Sequence, residues 1–181
     1  MDILNRKLLT FLSTTVLFVL LLATGTFISI AANKTTQKQK VMAAAVFKFI
    51  KFVDWENNIL QSKNSFHMCL QKYDASFEPF IKRKVQGKMI KLIILTAEKK
   101  PDRCDALYLN STHPQAMENF NSYKNTATLT ISEQAGFLSQ GGIIELGSHN
   151  NRLTFSINQL MAKTNQLNIG FQLLSLAKHV I

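Results

Sequence analysis

Two cysteines, Cys69 and Cys104, are the residues with the clearest chemistry in this sequence. Each lies in a short apolar run typical of a β-strand, and neighbouring strands can bring two Cα atoms to the ~5.5–6 Å that a disulfide needs. In an oxidising compartment, two lone cysteines usually pair. Neither belongs to a C-x-x-C motif, and His67 adds only one more ligand where a structural zinc ion takes four. The pattern favours a structural disulfide, with a regulatory disulfide or a metal-binding pair as alternatives.

Catalytic side chains form no recognisable constellation in the sequence. The four histidines are scattered and the carboxylates are few. There is no nucleophile elbow, zinc-protease helix, phosphate-binding loop or dinucleotide-binding fingerprint. Gly141 and Gly142 precede a strand rather than a helix, so they predict a tight turn and not a phosphate site. We therefore expect a protein that acts by contact rather than by catalysis, with no cofactor and no metal ion.

The segment Lys40–Trp55 predicts a helix that is apolar over most of its circumference. Because a helix on the outside of a sheet buries only one side, the surplus aromatic residues predict a surface that meets a partner. The predicted contact residues are Phe49, Phe52 and Trp55 as anchors, with Lys48 and Lys51 at the rim. Phe49 is expected to be the most exposed of the anchors. The alternative is that these aromatic side chains are packed in the core.

Short apolar runs and helical patterns alternate after this helix. The runs are Phe66–Leu70, Ile90–Leu95, Ala106–Leu109, Ala127–Ile131, Ile143–Leu146 and Leu153–Ile157. The helical patterns are Ser76–Lys84, Pro114–Tyr123 and a short helix that begins after Ser132. This alternation predicts an α/β fold, with a mostly parallel sheet and helices on both faces. The polar connection Gly147–Arg152 is short, and it predicts an antiparallel hairpin near the C-terminal half.

The first 31 residues predict a targeting segment. Arg6 and Lys7 precede the uncharged stretch Leu8–Ile30, and a small-x-small triplet typical of a signal-peptidase site ends at Ala31. An uncleaved anchor is the alternative, since roughly 20 apolar residues span a bilayer. Both interpretations put residues 32–181, a single domain, outside the cytoplasm. The domain is then free in the periplasm or tethered to the inner membrane.

The net charge of +10 does not identify a partner by itself. Export argues against nucleic acid and leaves anionic lipid, a cell-wall polymer, or a lysine-rich surface that is simply solvated. The chain is 46% hydrophobic with only 7 Gly and 3 Pro, which excludes a disordered or collagen-like protein. The part after residue 31 is long enough to bury a core of its own.

An ordered series of short motifs runs through the sequence. The motifs are Phe49-x-x-Phe52-Val53-x-Trp55, the strands with Cys69 and Cys104, Leu129-Thr130-Ile131-Ser132-Glu133, Phe137-x-x-x-Gly141-Gly142-Ile143-Ile144, Phe155-Ser156-Ile157-Asn158 and Leu173-Leu174-x-Leu176-Ala177. This series resembles the YfiR family of exported bacterial proteins, and the resemblance runs from about Val41 to Val180. Each motif is individually weak, and their order and spacing carry the resemblance.

The resemblance implies a periplasmic regulator that inhibits a membrane-bound diguanylate cyclase by acting on the periplasmic part of the cyclase. Such a regulator limits cyclic di-GMP and with it biofilm and exopolysaccharide production. The family further implies a homodimer, and release by an outer-membrane lipoprotein that binds peptidoglycan. Cys69 and Cys104 match the positions of a family disulfide. The alternative function is a periplasmic sensor that binds a small ligand or the cell wall, without a cyclase partner.

Overall fold

The computed structural model describes residues 37–56, 59–96, 100–110, 115–150 and 152–181. The predicted targeting segment, residues 1–31, lies outside these residues. Residues 42–181 form one compact unit, and residues 37–41, which are helical, are the described part of a second unit. Among the described residues, no helix is both long and apolar enough to cross a membrane.

Helices and strands alternate along most of the described chain. The helices are α1 (37–51), α2 (Glu78–Ile81), α3 (Ala116–Tyr123), α4 (Gln159–Thr164) and α5 (Phe171–Leu174), and 3₁₀ turns cover Ala75–Phe77 and Leu138–Gln140. The strands are β1 (Val53–Trp55), β2 (Ser65–Leu70), β3 (Lys84–Val85), β4 (Lys88–Ile94), β5 (Ala106–Leu109), β6 (Leu129–Ser132), β7 (Ile144–His149), β8 (Arg152–Ile157), β9 (Leu167–Ile169) and β10 (His179–Val180).

An eight-stranded sheet organises the unit, with the strand order β10-β8-β7-β6-β5-β2-β4-β3. Within the described residues, five of its seven neighbouring pairs are parallel. The pairs β3–β4 and β7–β8 are antiparallel. The prediction of an α/β fold with a mostly parallel sheet is therefore confirmed.

The antiparallel pair β7–β8 lies where the sequence predicts a hairpin. The strands pair from Ile144 opposite Ile157 as far as His149 opposite Arg152. The ladder is thus longer than the apolar runs indicated, because it includes the exposed polar end of β7 at Gly147–His149. A search for apolar runs misses such residues, since only a buried strand end needs to be apolar.

The predicted helix over Lys40–Trp55 ends earlier than expected. Helix α1 ends at residue 51, and β1 pairs antiparallel with β9, with Val53 opposite Ile169 and Trp55 opposite Leu167. Val53 and Trp55 are buried while Asp54 between them is exposed, which is the two-residue period of a strand. The partner strand decides this conformation, because strand preference depends strongly on tertiary context.

The short helix predicted after Ser132 is replaced by a turn. The Ser132 hydroxyl accepts a hydrogen bond from the Gln134 N–H at 3.1 Å, and the chain then reaches the 3₁₀ turn Leu138–Gln140. Gly136 has a φ of 77° in this segment. This left-handed conformation is typical of helix ends and turns, so it prevents a continuous helix here.

Alternating residues of the central strands divide the core into two clusters. Met68 and Tyr108 belong to the larger cluster, together with Ile50 of α1. Cys69 belongs to the smaller cluster, together with Phe120 of α3. Successive side chains of a strand point to opposite faces of a sheet, so the same strands supply both clusters.

Candidate interaction surface

The two cysteines form a disulfide in the smaller core cluster. Cys69 on β2 and Cys104, which precedes β5, have Cα atoms 5.8 Å apart. These strands are parallel neighbours, with Met68 opposite Ala106, so the disulfide joins β2 to the residues that enter β5. Both cysteines are buried. The predicted disulfide is confirmed, and the chain has no free cysteine.

The residue that follows Cys104 carries a buried carboxylate. Asp105 is 1% exposed, and its carboxylate accepts hydrogen bonds from Lys63 Nζ at 2.8 Å and from the backbone N–H of His67 at 2.7 Å. Arg103 Nη2 lies 3.4 Å from the same carboxylate and donates to the Ser65 carbonyl at 2.7 Å. A buried charge is stable only with such partners, because desolvation penalises it. This cluster therefore stabilises the start of β5 against β2.

His67 lies at the edge of this cluster. Its pKa is lowered from 6.5 because burial disfavours the charged ring, and the Arg103 guanidinium lowers the pKa further. Among the described residues, no three His, Cys, Asp or Glu side chains converge as metal ligands. The geometry around the cysteines is that of a structural core.

Two of the five predicted contact residues are buried. Phe49 is 4% exposed, and its ring centroid lies 4.8 Å from that of Phe155 on β8. Trp55 is 5% exposed, packs edge-on against Phe66, and donates its indole N–H to the Ala127 carbonyl at 3.0 Å. The expectation that Phe49 is the most exposed aromatic residue is therefore wrong, and Trp55 also lies in the core.

The physical reason is that α1 is covered on more than one side. Phe47 stacks on Phe80 of α2 with a centroid distance of 4.6 Å, while Phe49 packs against β8. Apolar residues of this helix would be surplus only if the sheet alone covered it. A neighbouring helix covers apolar residues that would otherwise be surplus.

The other three predicted contact residues are at the surface. Lys48 and Lys51 are exposed, and Phe52, directly after the end of α1, is 38% exposed. The Phe52 carbonyl accepts a hydrogen bond from the Gly170 N–H at 2.7 Å. A Cβ on Gly170 would lie 2.9 Å from this carbonyl oxygen, so the close approach depends on glycine.

Exposed apolar side chains are concentrated after residue 159. Five of the nine large apolar residues that are exposed in the described chain lie there. They are Leu160, Phe171, Leu176, Val180 and Ile181, and we call them the C-terminal apolar residues. Phe171 is 80% exposed and Leu176 is 73% exposed, so neither contributes to the core. Contiguous exposed apolar side chains are typical of an interaction site, so these five residues are the candidates for one.

Short elements hold these side chains in place. Asn158 caps α4 by accepting a hydrogen bond from the Met161 N–H at 2.9 Å. The Gln159 N–H donates to the Ile181 carbonyl at 2.7 Å, which joins the start of α4 to the end of the chain. The bond between Gly170 and Phe52 joins the start of α5 to the end of α1. The C-terminal apolar residues are therefore presented on a framework of backbone hydrogen bonds.

The charged side chains within residues 152–181 have one sign, although exposed Asp54 of β1 lies opposite Asn168 of β9 in the same segment. Glu145 is the last acidic residue of the sequence, whereas Arg152, Lys163 and Lys178 follow it. All three cationic side chains are exposed. The three cations favour acidic residues on a partner that contacts this segment.

The sequence matches the model of a known protein family. The model of the YfiR/HmsC-like family matches residues 39–178, which covers most of the sequence. The chain belongs to the YfiR/HmsC-like family. The resemblance predicted from the sequence motifs is thereby confirmed, and proteins of this family are periplasmic regulators rather than enzymes. A search of curated proteins finds no match.

The C-terminal apolar residues of this YfiR/HmsC-like protein were missed by sequence reasoning. The segment 160–181 interleaves exposed residues such as Phe171 and Leu176 with buried ones such as Leu167, Ile169 and Leu173. The exposed and the buried residues are both large and apolar, so hydrophobicity alone cannot distinguish them. The absence of acidic residues after Glu145 is the one signal that could have drawn attention to this segment.

Proposed function

We propose that this protein is a periplasmic regulator that binds the periplasmic part of a membrane-bound diguanylate cyclase and inhibits the cyclase. Such repression limits cyclic di-GMP and, through it, biofilm and exopolysaccharide production. Membership of the YfiR/HmsC-like family supports this function. The structural observation that carries it is the exposure of the C-terminal apolar residues, which a partner can bury.

The contact that we propose is centred on Phe171 and Leu176. Aromatic and large aliphatic side chains at the centre of an interface supply most of its free energy, while charges at the rim affect mainly the association rate. Lys163 and Lys178 lie in the same segment, and Lys48 and Lys51 come from the end of α1 near Phe52. We expect the cyclase surface to supply the matching acidic residues.

Export and assembly belong to the same proposal. Residues 1–31 direct the chain to the periplasm, either as a cleaved signal peptide or as a membrane anchor. An outer-membrane lipoprotein that binds peptidoglycan competes for the regulator and releases the cyclase. A second copy of this chain is the other candidate to cover the C-terminal apolar residues, which gives a homodimer.

A charge substitution at the most exposed aromatic residue tests the contact. Phe171→Glu should leave the melting temperature unchanged, because the side chain is 80% exposed. Loss of an aromatic anchor costs ~2 kcal/mol or more, so binding should weaken roughly 30-fold. Gln172→Glu is the matched control, because it places the same charge at the neighbouring exposed position.

The assay has two readouts. Affinity capture from membranes should recover a protein that carries a diguanylate cyclase domain, and purified regulator should suppress its production of cyclic di-GMP. Equal suppression by Phe171→Glu and the wild type would refute the proposed contact. Light scattering of the purified regulator tests for the homodimer. A Phe171→Glu variant that becomes monomeric but still represses the cyclase would assign the C-terminal apolar residues to the dimer interface.

A further inference from the structure

The order of the strands creates a switch point at β2. From β2 the chain crosses to β4 on one side, and it then returns to β5 on the other side of β2. Strands β6 and β7 continue in the direction of β5. Connections that leave neighbouring parallel strands in opposite directions form a crevice at the carboxyl ends of those strands, and ligands of parallel α/β sheets bind there.

Gln71 is the residue that follows β2 at this switch point. It is 4% exposed, yet its side-chain Oε1 and Nε2 have no hydrogen-bond partner among the described residues. Its backbone is held by the ladder, because the preceding carbonyl, that of Leu70, accepts a hydrogen bond from the Leu95 N–H at 2.8 Å. A buried amide with neither atom bonded is rare, because burial removes its water without replacing the hydrogen bonds.

Other buried polar side chains at the same ends of the strands have partners. The Tyr108 hydroxyl, at the end of β5, donates to the Glu133 carboxylate, and burial raises the pKa of Tyr108 so that this donor stays protonated. The Ser132 hydroxyl, at the end of β6, donates to the Leu109 carbonyl at 3.2 Å. Gln71 differs from these residues because neither Oε1 nor Nε2 of its side chain has a hydrogen-bond partner among the described residues.

We propose that the carboxyl end of β2 binds a small neutral ligand that has a carboxamide-like edge, and that Gln71 pairs with this edge through both Oε1 and Nε2. A side-chain amide presents an acceptor beside two donors, so it pairs with a group that has a donor beside an acceptor, as glutamine does with the edge of adenine. A carboxylate supplies only acceptors, and an ammonium group supplies only donors. Either would leave one atom of Gln71 unpaired. This site is independent of the proposed contact with a cyclase.

Titration of the purified full chain, followed by ¹H–¹⁵N NMR, tests the proposal. The probes are benzamide, nicotinamide and 2-pyridone, each with a donor beside an acceptor, and benzoate is the matched probe without the donor. At least one of the three neutral probes should shift the Gln71 side-chain amide signals in a saturable manner. It should also bind about tenfold more tightly than benzoate, which is the effect of one hydrogen bond.

Two glutamine variants complete the test. Gln71→Met keeps the length of the side chain and removes its hydrogen-bonding atoms, so it should weaken probe binding about tenfold or more. Gln61→Met is the control at an exposed glutamine, and it should bind the probe as the wild type does. Because an unpaired buried amide is unfavourable, Gln71→Met should melt at the same temperature as the free wild type or higher.

Several results would overturn the site. No saturable shift with any neutral probe, equal binding of benzoate, or undiminished binding by Gln71→Met each contradicts the proposed pairing. A melting temperature of Gln71→Met that is about 5 °C or more below that of the wild type would show that the protein itself satisfies the amide. That result would also contradict the proposal.

Discussion

Loss of the Cys69–Cys104 crosslink should destabilise the protein strongly. The two cysteines are 35 residues apart in the sequence. In the chain-entropy model, a crosslink across a loop of this length removes enough freedom from the unfolded chain to contribute about 4 kcal/mol. This is a large part of the 5–15 kcal/mol by which a typical domain is stable, so the domain should stay folded but with a much smaller margin.

The effect on the melting temperature follows from the size of the unit, residues 42–181. For a domain of roughly this size, a change of 1 kcal/mol shifts the melting temperature by about 4 °C. Reduction should therefore lower the melting temperature by about 15 °C. A phosphine reductant is suitable, and thiol titration must show that both cysteines are free before the melt is recorded.

The double variant Cys69→Ala/Cys104→Ala separates the crosslink from the packing. Both cysteines are buried in the smaller core cluster, so alanine removes sulfur contacts as well as the covalent bond. The variant should therefore melt below the reduced wild type. The difference between these two proteins measures packing alone, since neither has the crosslink.

A small effect of reduction would refute this reasoning. If the protein with two titrated thiols melts within about 3 °C of the oxidised protein, the crosslink does not restrict the unfolded chain as the model requires. Residual structure that already holds β2 near β5 in the unfolded chain would then be the explanation.

Three further predictions concern single side chains. Asp105→Asn should lower the free energy of unfolding, measured in urea, by about 3 kcal/mol, because it leaves the cations around a buried site without their carboxylate partner. Glu118→Gln, which removes one partner of an exposed ion pair, should lower it by less than about 1 kcal/mol. The pKa of His67 is lower in the folded protein than its unfolded value of 6.5, so the unfolded chain binds the proton first. Stability should therefore fall as the pH drops below 6.5, and His67→Gln should flatten that part of a plot of unfolding free energy against pH; an unchanged slope would contradict the assignment. Gly142→Ala should destabilise by about 1–3 kcal/mol in the same urea assay, since its Cβ would lie 2.2 Å from ring atoms of Phe137; a variant as stable as the wild type would show that the ring moves freely.

Much of the sheet could be predicted from the sequence, because buried strands need apolar residues. The run Ala106–Leu109 coincides with β5, in which all four residues are buried. Strand β7 was predicted too short because its exposed end is polar. The sequence pattern predicts the end of a helix at β1, because three residues carry too little pattern to reveal their partner strand, β9.

The candidate surface was much less predictable than the sheet. The exposure of an aromatic side chain depends on what packs against it, and sequence does not reveal that contact. Phe49 and Phe171 are the same residue type and both belong to helices, yet Phe49 is 4% exposed and Phe171 is 80% exposed. The difference arises because Phe155 of β8 covers the first ring, while no comparable ring contact covers the second among the described residues.

The sequence by itself determined that the two cysteines are the only thiols available to pair, that the chain alternates strands with helices, and that positive charge dominates its C-terminal part. These properties depend on residue type and local spacing alone. Only the tertiary structure decided which apolar residues remain outside the core and that Gln71 is buried without a hydrogen-bond partner among the described residues. The physical reason is that burial is set by contacts between residues far apart in the chain, and these contacts exist only once the strands take their order in the sheet.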